Sequence, residues 1–230
     1  LRLYGTRFGS ALITLGLALT SSAIWVGGPA LVVLWPATSV IVVGMGYVAF
    51  GPGVFGKRAD GSLAALPTAL LLPFHVAAWL RLRWNARDGR APFDEVAPGL
   101  FLGRRLVDAA ELPEGTTLVV DLTAEFRATR GVRERCDYRV LPTLDTTVPE
   151  YDDFKRIVDE TAAHRGPAYI HCAAGYGRSA SVAAAVLIAR DLATDVDDAE
   201  RKLREKRPKV WLHPGQRAHV SRYAKERAAR

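Results

Sequence analysis

Residues 168–181 read AYIHCAAGYGRSAS, and this stretch decides the architecture of the second half of the chain. The short apolar run Ala168-Tyr169-Ile170 predicts a buried strand, and the Ala/Val/Leu run over 179–190 predicts a helix buried on nearly every side. Between them lies a tight loop that starts at His171-Cys172 and closes at Arg178-Ser179. Gly175 and Gly177 permit positive φ, which lets successive N–H groups turn inward. A ring of inward N–H groups at a helix N-terminus is an anion site, and a cysteine inside it is favoured as the nucleophilic thiolate. Nucleophile and anion cradle are then one object, and the electrophile that suits both is a phosphate ester.

Working outward, 99–103 and 116–122 predict short strands bounded by glycine, and 138–141 predicts another, stopped by Pro142. Asp108–Leu112 reads as a helical turn. Thr147-Val-Pro-Glu150 has the spacing of a capping box and predicts a helix to about His164, with Phe154, Ile157, Val158, Thr161 and Ala162 on its core face. After the loop, 195–206 is amphipathic through Val196, Ala199 and Leu203, Pro208 ends it, and a last helix starts at Pro214. Strands and helices in this order predict an α/β domain, a central sheet with helices packed on it, over residues 91–230.

Residues 1–90 are different. No charged residue occurs between Arg7 and Lys57, nor between Asp60 and Arg81. Residues 8–28 and 30–50 are long enough to cross a bilayer, with Gly27-Gly28-Pro29 as the hairpin between them. A cleaved signal peptide is the competing reading of the first span, and the second apolar span that follows at once disfavours it. Residues 61–80 allow either an interfacial segment, with Trp79 and Trp84 at headgroup level, or a third span. Pro67, Pro73 and His75 favour the interfacial reading. Two spans put Arg2, Arg7, Lys57 and Arg58 on one side, expected to be cytoplasmic; a third would send Arg81, Arg83, Arg87, Arg90 and the α/β domain to the other. Trp25 and Trp35 read as lipid-facing or interfacial bulk.

The net charge of +7 comes almost wholly from residues 1–91, which carry +6 of it. The excess therefore flanks the hydrophobic spans, where anionic lipid draws it, and a nucleic-acid partner loses its support. Two cysteines, Cys136 and Cys172, are too few for a disulfide framework, and pairing them would consume the nucleophile. Histidines and cysteines lack the spacing of a zinc site, and the chemistry calls for no metal and no cofactor.

The loop His171-Cys172-x5-Arg178-Ser179 resembles the signature loop of the cysteine-dependent phosphatases, in their compact dual-specificity branch. The tail Lys206-Arg-Pro-Lys-Val-Trp-Leu-His-Pro-Gly-Gln216 is most similar to the mitochondrial protein-tyrosine-phosphatase-like phosphatases of phosphatidylglycerophosphate. The resemblance spans roughly 95–225 and leaves the membrane module out. It implies that Cys172 attacks phosphorus to form a phosphocysteine. It also implies that Ala173, Ala174, Gly175, Tyr176, Gly177 and Arg178 hold the phosphoryl oxygens, Arg178 with a planar fork that can take two of them. Ser179 would donate to the sulfur, or serve only as helix N-cap; both roles are compatible. His171 would fix the loop from beneath. The acid that protonates the leaving alkoxide would be Asp145, on the loop before a helix. Asp121, at a strand end, is the outside alternative, and Asp152 and Asp153 read as a solvated helix face. Tyr176 would sit at the mouth, and Glu125 is given no role. The run Arg201–Lys209 reads as a solvated face ahead of a phosphate-recruiting one.

A domain tethered to a bilayer meets lipid head groups at high effective concentration. The loop interior carries no lysine, whereas relatives that take highly charged phosphoinositides often do, so a lipid of modest charge is expected: phosphatidylglycerophosphate or a phosphatidylinositol monophosphate. A phosphoprotein phosphatase at the membrane is the rival enzyme reading, and a non-catalytic phosphate-binding adaptor the rival of another class.

Overall fold

The computed structural model describes residues 3–87 and 91–229, so Arg2, Arg90 and the expected junction at residue 90 lie outside the described residues. Helix α1 (Leu3–Val26) turns back at Gly27 and Gly28, both with positive φ, into a 3-10 turn and then α2 (Leu34–Met45). A π-turn at Gly46–Phe50 and a 3-10 turn at Gly51–Phe55 prolong α2. The two rods cross at small residues: a side chain on Gly9 would lie 2.7 Å from the Gly44 carbonyl oxygen, and one on Gly44 would lie 2.7 Å from that of Gly9. Such close backbone approach is how apolar helices associate where no hydrophobic driving force acts between them. Among the described residues, 5–26 and 28–55 are the two helical stretches long and apolar enough to cross a membrane. Residues 61–80 instead hold α3 (Ala65–Leu70) and the start of α4 (Leu72–Ala86), broken at the fully buried Leu71.

Five strands follow: β1 (Phe93–Ala97), β2 (Leu100–Arg104), β3 (Leu118–Thr123), β4 (Asp137–Thr143) and β5 (Ala168–Cys172). Their order is β1-β2-β5-β3-β4, with β1 antiparallel to β2 and the remaining pairs parallel. The α/β expectation holds; β1 was not foreseen. Strand β4 does not stop at Pro142. It is an edge strand, and Pro142 falls where its register against β3 shifts, so the missing N–H is tolerated.

Alternation along β3 and β5 divides two cores. Leu118, Val120, Leu122, Ala168 and Ile170 face α5 (Tyr151–Ala163), α6 (Arg178–Ala189), α7 (Val196–Lys206) and α8 (Pro214–Ala228). Val119 and Tyr169 point the other way, onto Leu106 and Val132. The capping box at 147–150 does not form. Thr147 Oγ1 donates back to the Leu144 carbonyl at 2.9 Å, Thr146 adopts positive φ, and α5 begins only after Pro149 with Glu150 extended. Those residues close a turn around Asp145 instead of capping a helix.

A third core joins the two halves of the chain. Val43, Phe55 and Leu71 of the N-terminal part pack with Ala124 and Leu144, the residues directly before Glu125 and Asp145.

Candidate active site

Parallel strands place their carboxyl ends along one edge of the sheet, where ligands of open α/β sheets bind. Here β5 runs into the cysteine loop, β3 leads to Glu125, and β4 leads to Asp145. Cys172 is buried, and its sulfur accepts from the Gly175 N–H and the Ser179 hydroxyl, each at 3.2 Å. Ser179 therefore takes the sulfur-facing position, while Gly177 is the N-cap of α6.

The inward N–H ring follows from where the loop carbonyls go. Ala173 O accepts from the Arg105 N–H at 3.2 Å, and Tyr176 O from the Trp211 N–H at 3.0 Å. Ala174 O and Gly175 O both accept from the Arg207 guanidinium, at 3.2 and 2.9 Å. With these carbonyls bound outside, the amides are left to the centre. Gly175 has φ 80°, and a side chain there would run into the Gly103 backbone. Gly177 differs from expectation: its φ is −123°, so it supplies no left-handed turn. Tyr176 lies beneath the Arg207 guanidinium, 4.7 Å from the ring centre, with Lys209 Nζ at 5.9 Å.

Arg178 is 2% exposed. Its Nη1 donates to Glu125 Oε2 at 3.0 Å and to Thr143 O at 2.8 Å, and Nη2 donates to Glu125 Oε1 at 2.9 Å. Nε finds no hydrogen-bond partner among the described residues and lies 3.3 Å from Asp145 Oδ1. Burial works against the charge on Arg178, but Glu125 and Asp145 outweigh it and hold the proton more firmly than usual. The fork is thus fixed from behind, with one buried donor aimed toward the acid loop. The Asp145 side chain is 60% exposed and stands at the mouth. Gln216, buried at the start of α8, steadies that loop by donating to Thr147 O at 3.2 Å.

His171 lies beneath the loop, with Nδ1 3.4 Å from the Cys172 carbonyl oxygen, and burial lowers its pKa to about 4. Asp121 cannot serve as the acid. It is 1% exposed on the opposite face of the sheet, and its carboxylate takes donors from Lys57, Tyr138 and Thr123. Asp153 pairs with Arg156 on the surface of α5, as a solvated face should.

Three residues here were not found by sequence reasoning: Glu125, Arg207 and Lys57. Glu125 carried no assigned role and Arg207 lay within the Arg-Pro tail, but a charge run does not reveal which member turns inward. Arg207 is 5% exposed, whereas Arg201 of the same run is exposed and pairs with Asp198 and Glu205.

A buried sulfur, a ring of amides, an arginine fork and an exposed carboxyl can together transfer a phosphoryl group to cysteine and protonate the leaving oxygen. The catalytic domain of dual specificity phosphatases matches residues 113–226. The phosphatidylglycerophosphate phosphatase PTPMT2 of Arabidopsis thaliana is 30% identical over 176 residues, covering 73% of this chain and 74% of that protein. Among solved structures, PTPMT1 in complex with PI(5)P is similar with a TM-score of 0.53 at 20% identity, over 60% of this chain and 97% of that one. A mouse putative dual specificity phosphatase is similar with a TM-score of 0.53 at 22% identity, over 62% and 92%. At these identities the structural likeness speaks for the fold.

Proposed function

The chain belongs to the dual specificity phosphatase family, and from that premise we propose that it is a membrane-anchored lipid phosphatase. Its substrate is a phosphate monoester on a head group of modest charge, phosphatidylglycerophosphate or a phosphatidylinositol monophosphate. The observation that carries this reading is where the acid loop sits. Leu144 and Ala124 are buried against the ends of the apolar hairpin, Gly5 of α1 approaches Thr147, and Tyr47 faces the charges of Asp145, Arg178 and Glu125. The far end of the hairpin exposes Ile24, Trp25 (88%) and Val32, a surface suited to lipid. With α1 and α2 spanning a bilayer, the mouth opens at the membrane surface, on the side of Arg7, Lys57 and Arg58, which the positive-inside tendency makes cytoplasmic. Residues 1–90 form the membrane module and 91–230 the catalytic domain.

In the mechanism, the Cys172 thiolate attacks phosphorus and breaks the P–O bond to the glycerol or inositol oxygen, which takes its proton from Asp145. Arg178 and the amides of residues 173–178 hold the three equatorial oxygens. Water, deprotonated by the Asp145 carboxylate, then attacks the phosphocysteine. Ser179 donates to the departing sulfur, and phosphate leaves. Ala173 and Ala174 bring no charge to the cradle, which supports a monophosphate over a polyphosphorylated ring.

Phosphate release from phosphatidylglycerophosphate and phosphatidylinositol monophosphate vesicles, set against phosphotyrosine and phosphoserine peptides, tests the reading. Lipid turnover that vanishes in Cys172→Ser is expected. Turnover of peptides alone overturns the lipid assignment, and turnover of neither favours a phosphate-binding adaptor.

A further inference from the structure

We infer that Lys57 is a positioning residue for the nucleophile: its ammonium occupies the Asp121 carboxylate and so keeps the adjacent His171 uncharged beneath Cys172. The inference rests on Cys172 as the nucleophile, and it makes the segment after the second apolar helix an electrostatic part of the catalytic domain.

Lys57 reaches 64 residues along the chain to Asp121. Its side chain is fully buried, and Nζ donates to Asp121 Oδ2 at 2.5 Å, Thr123 Oγ1 at 2.9 Å and Phe126 O at 2.7 Å. All three donor positions of the ammonium are used. Asp121 Oδ2 also accepts from the Tyr138 hydroxyl at 2.8 Å, and Oδ1 from the Thr123 N–H and hydroxyl at 2.8 and 2.7 Å. The carboxylate is saturated without the histidine. Its pKa is accordingly depressed: burial, the largest single influence, opposes ionisation, and the Lys57 charge is the strongest of the several neighbours that together outweigh it.

Asp121 and His171 are register partners on adjacent parallel strands, so they share the sheet face opposite α6. His171 Nε2 lies 3.9 Å from Asp121 Oδ1, outside hydrogen-bond range, while Nδ1 lies 3.4 Å from the Cys172 carbonyl oxygen. The ring stacks on Tyr169 at 5.5 Å, and Tyr169 donates to Arg104 O. The charged and titratable groups that face His171 are Asp121, Lys57 and Arg105, with Cys172 beside it; Tyr138 completes the Asp121 shell. Among the first three only Asp121 favours the imidazolium; Lys57 and then Arg105 oppose it, in addition to burial, the largest influence against the charge. Without that cation, a buried carboxylate would recruit the nearest available proton carrier, and the ring 3.9 Å away is that group. The imidazolium would be drawn to Asp121 and away from the carbonyl at the start of the cysteine loop.

The test uses the full chain in detergent micelles with 13C-labelled histidines, the His171 resonance being the one lost in His171→Gln. In the native protein this resonance is silent between about pH 5.5 and 8, since the ring titrates at about 4. In Lys57→Met its midpoint rises above about 6, and the rate of Cys172 alkylation by iodoacetamide gains an inflection at the same pH. Lys57→Gln, which removes the charge while retaining N–H donors in the buried position, gives the same result and covers the case where Lys57→Met does not fold. The double variant Lys57→Met/Asp121→Asn returns His171 to silence. A resonance that stays silent in Lys57→Gln, or still titrates in the double variant, overturns the inference. Turnover that survives in Cys172→Ser would instead overturn the nucleophile assignment, a separate result.

Discussion

Glu125 grips Arg178 with both carboxylate oxygens, accepting from Nη2 at 2.9 Å and Nη1 at 3.0 Å, and its Oε2 also accepts from the Ala124 N–H. The pair sets the plane of the guanidinium before any phosphate arrives. Glu125→Gln is expected to lower kcat by about 10²-fold, because a misplaced fork costs that much in a positioned reaction. Breaking a buried pair also costs about 3–5 kcal/mol, so the thermal midpoint should fall with it. Steady-state kinetics alongside thermal unfolding checks both; an unchanged kcat would mean that Thr143 O alone orients Arg178.

Asp145 as acid makes a prediction about leaving groups. Asp145→Asn should lower turnover of an alkyl phosphate by about 10²–10⁴-fold and of p-nitrophenyl phosphate by much less, since a phenolate of low basicity leaves without a proton. Equal losses on the two substrates would place the acid elsewhere.

Arg207 works from outside the loop. Arg207→Met removes the donors to Ala174 O and Gly175 O and the ion pair to Asp94 at 2.7 Å. Freed carbonyls can turn inward, so the inhibition constant of vanadate is expected to rise about tenfold or more. Competitive inhibition assays measure it directly.

Stability should depend on pH through His171. Its pKa falls from an ordinary 6.5 to about 4 on folding because the ring is buried. Between those values the unfolded chain binds the extra proton, so stability is fully present above about 6.5 and is lost as pH falls toward 4. The loss is on the order of 3 kcal/mol for this residue. His171→Gln should flatten the acid side of the stability curve in that window, with a residual slope from His219, whose pKa burial also lowers. Denaturation in micelles from pH 7 to 4 follows it.

Much of this was legible along the chain because it is local. The strand, loop and helix over 168–190 announce themselves by composition, and Phe154, Ile157, Val158 and Thr161 announce the buried face of α5 by spacing. Legibility failed where a residue's partner lies far away in sequence. Arg207 meets Gly175, Glu125 meets Arg178, and Lys57 meets Asp121; no periodicity encodes such pairs. It failed too where a tertiary role overrode a local rule. Thr147 has capping-box spacing but spends its hydroxyl on the acid loop, and Pro142 is tolerated within a strand that lies at the sheet edge.

The central claim is that Cys172 takes the phosphoryl group from a lipid at the membrane surface. Rapid acid quenching of the full chain on vesicles of 32P-phosphatidylglycerophosphate tests it most directly. The account predicts protein-bound label within the first turnover, mapped to the peptide that contains Cys172 and prolonged in Ser179→Ala. Steady lipid turnover with no label on Cys172, persisting in Cys172→Ser, would contradict it.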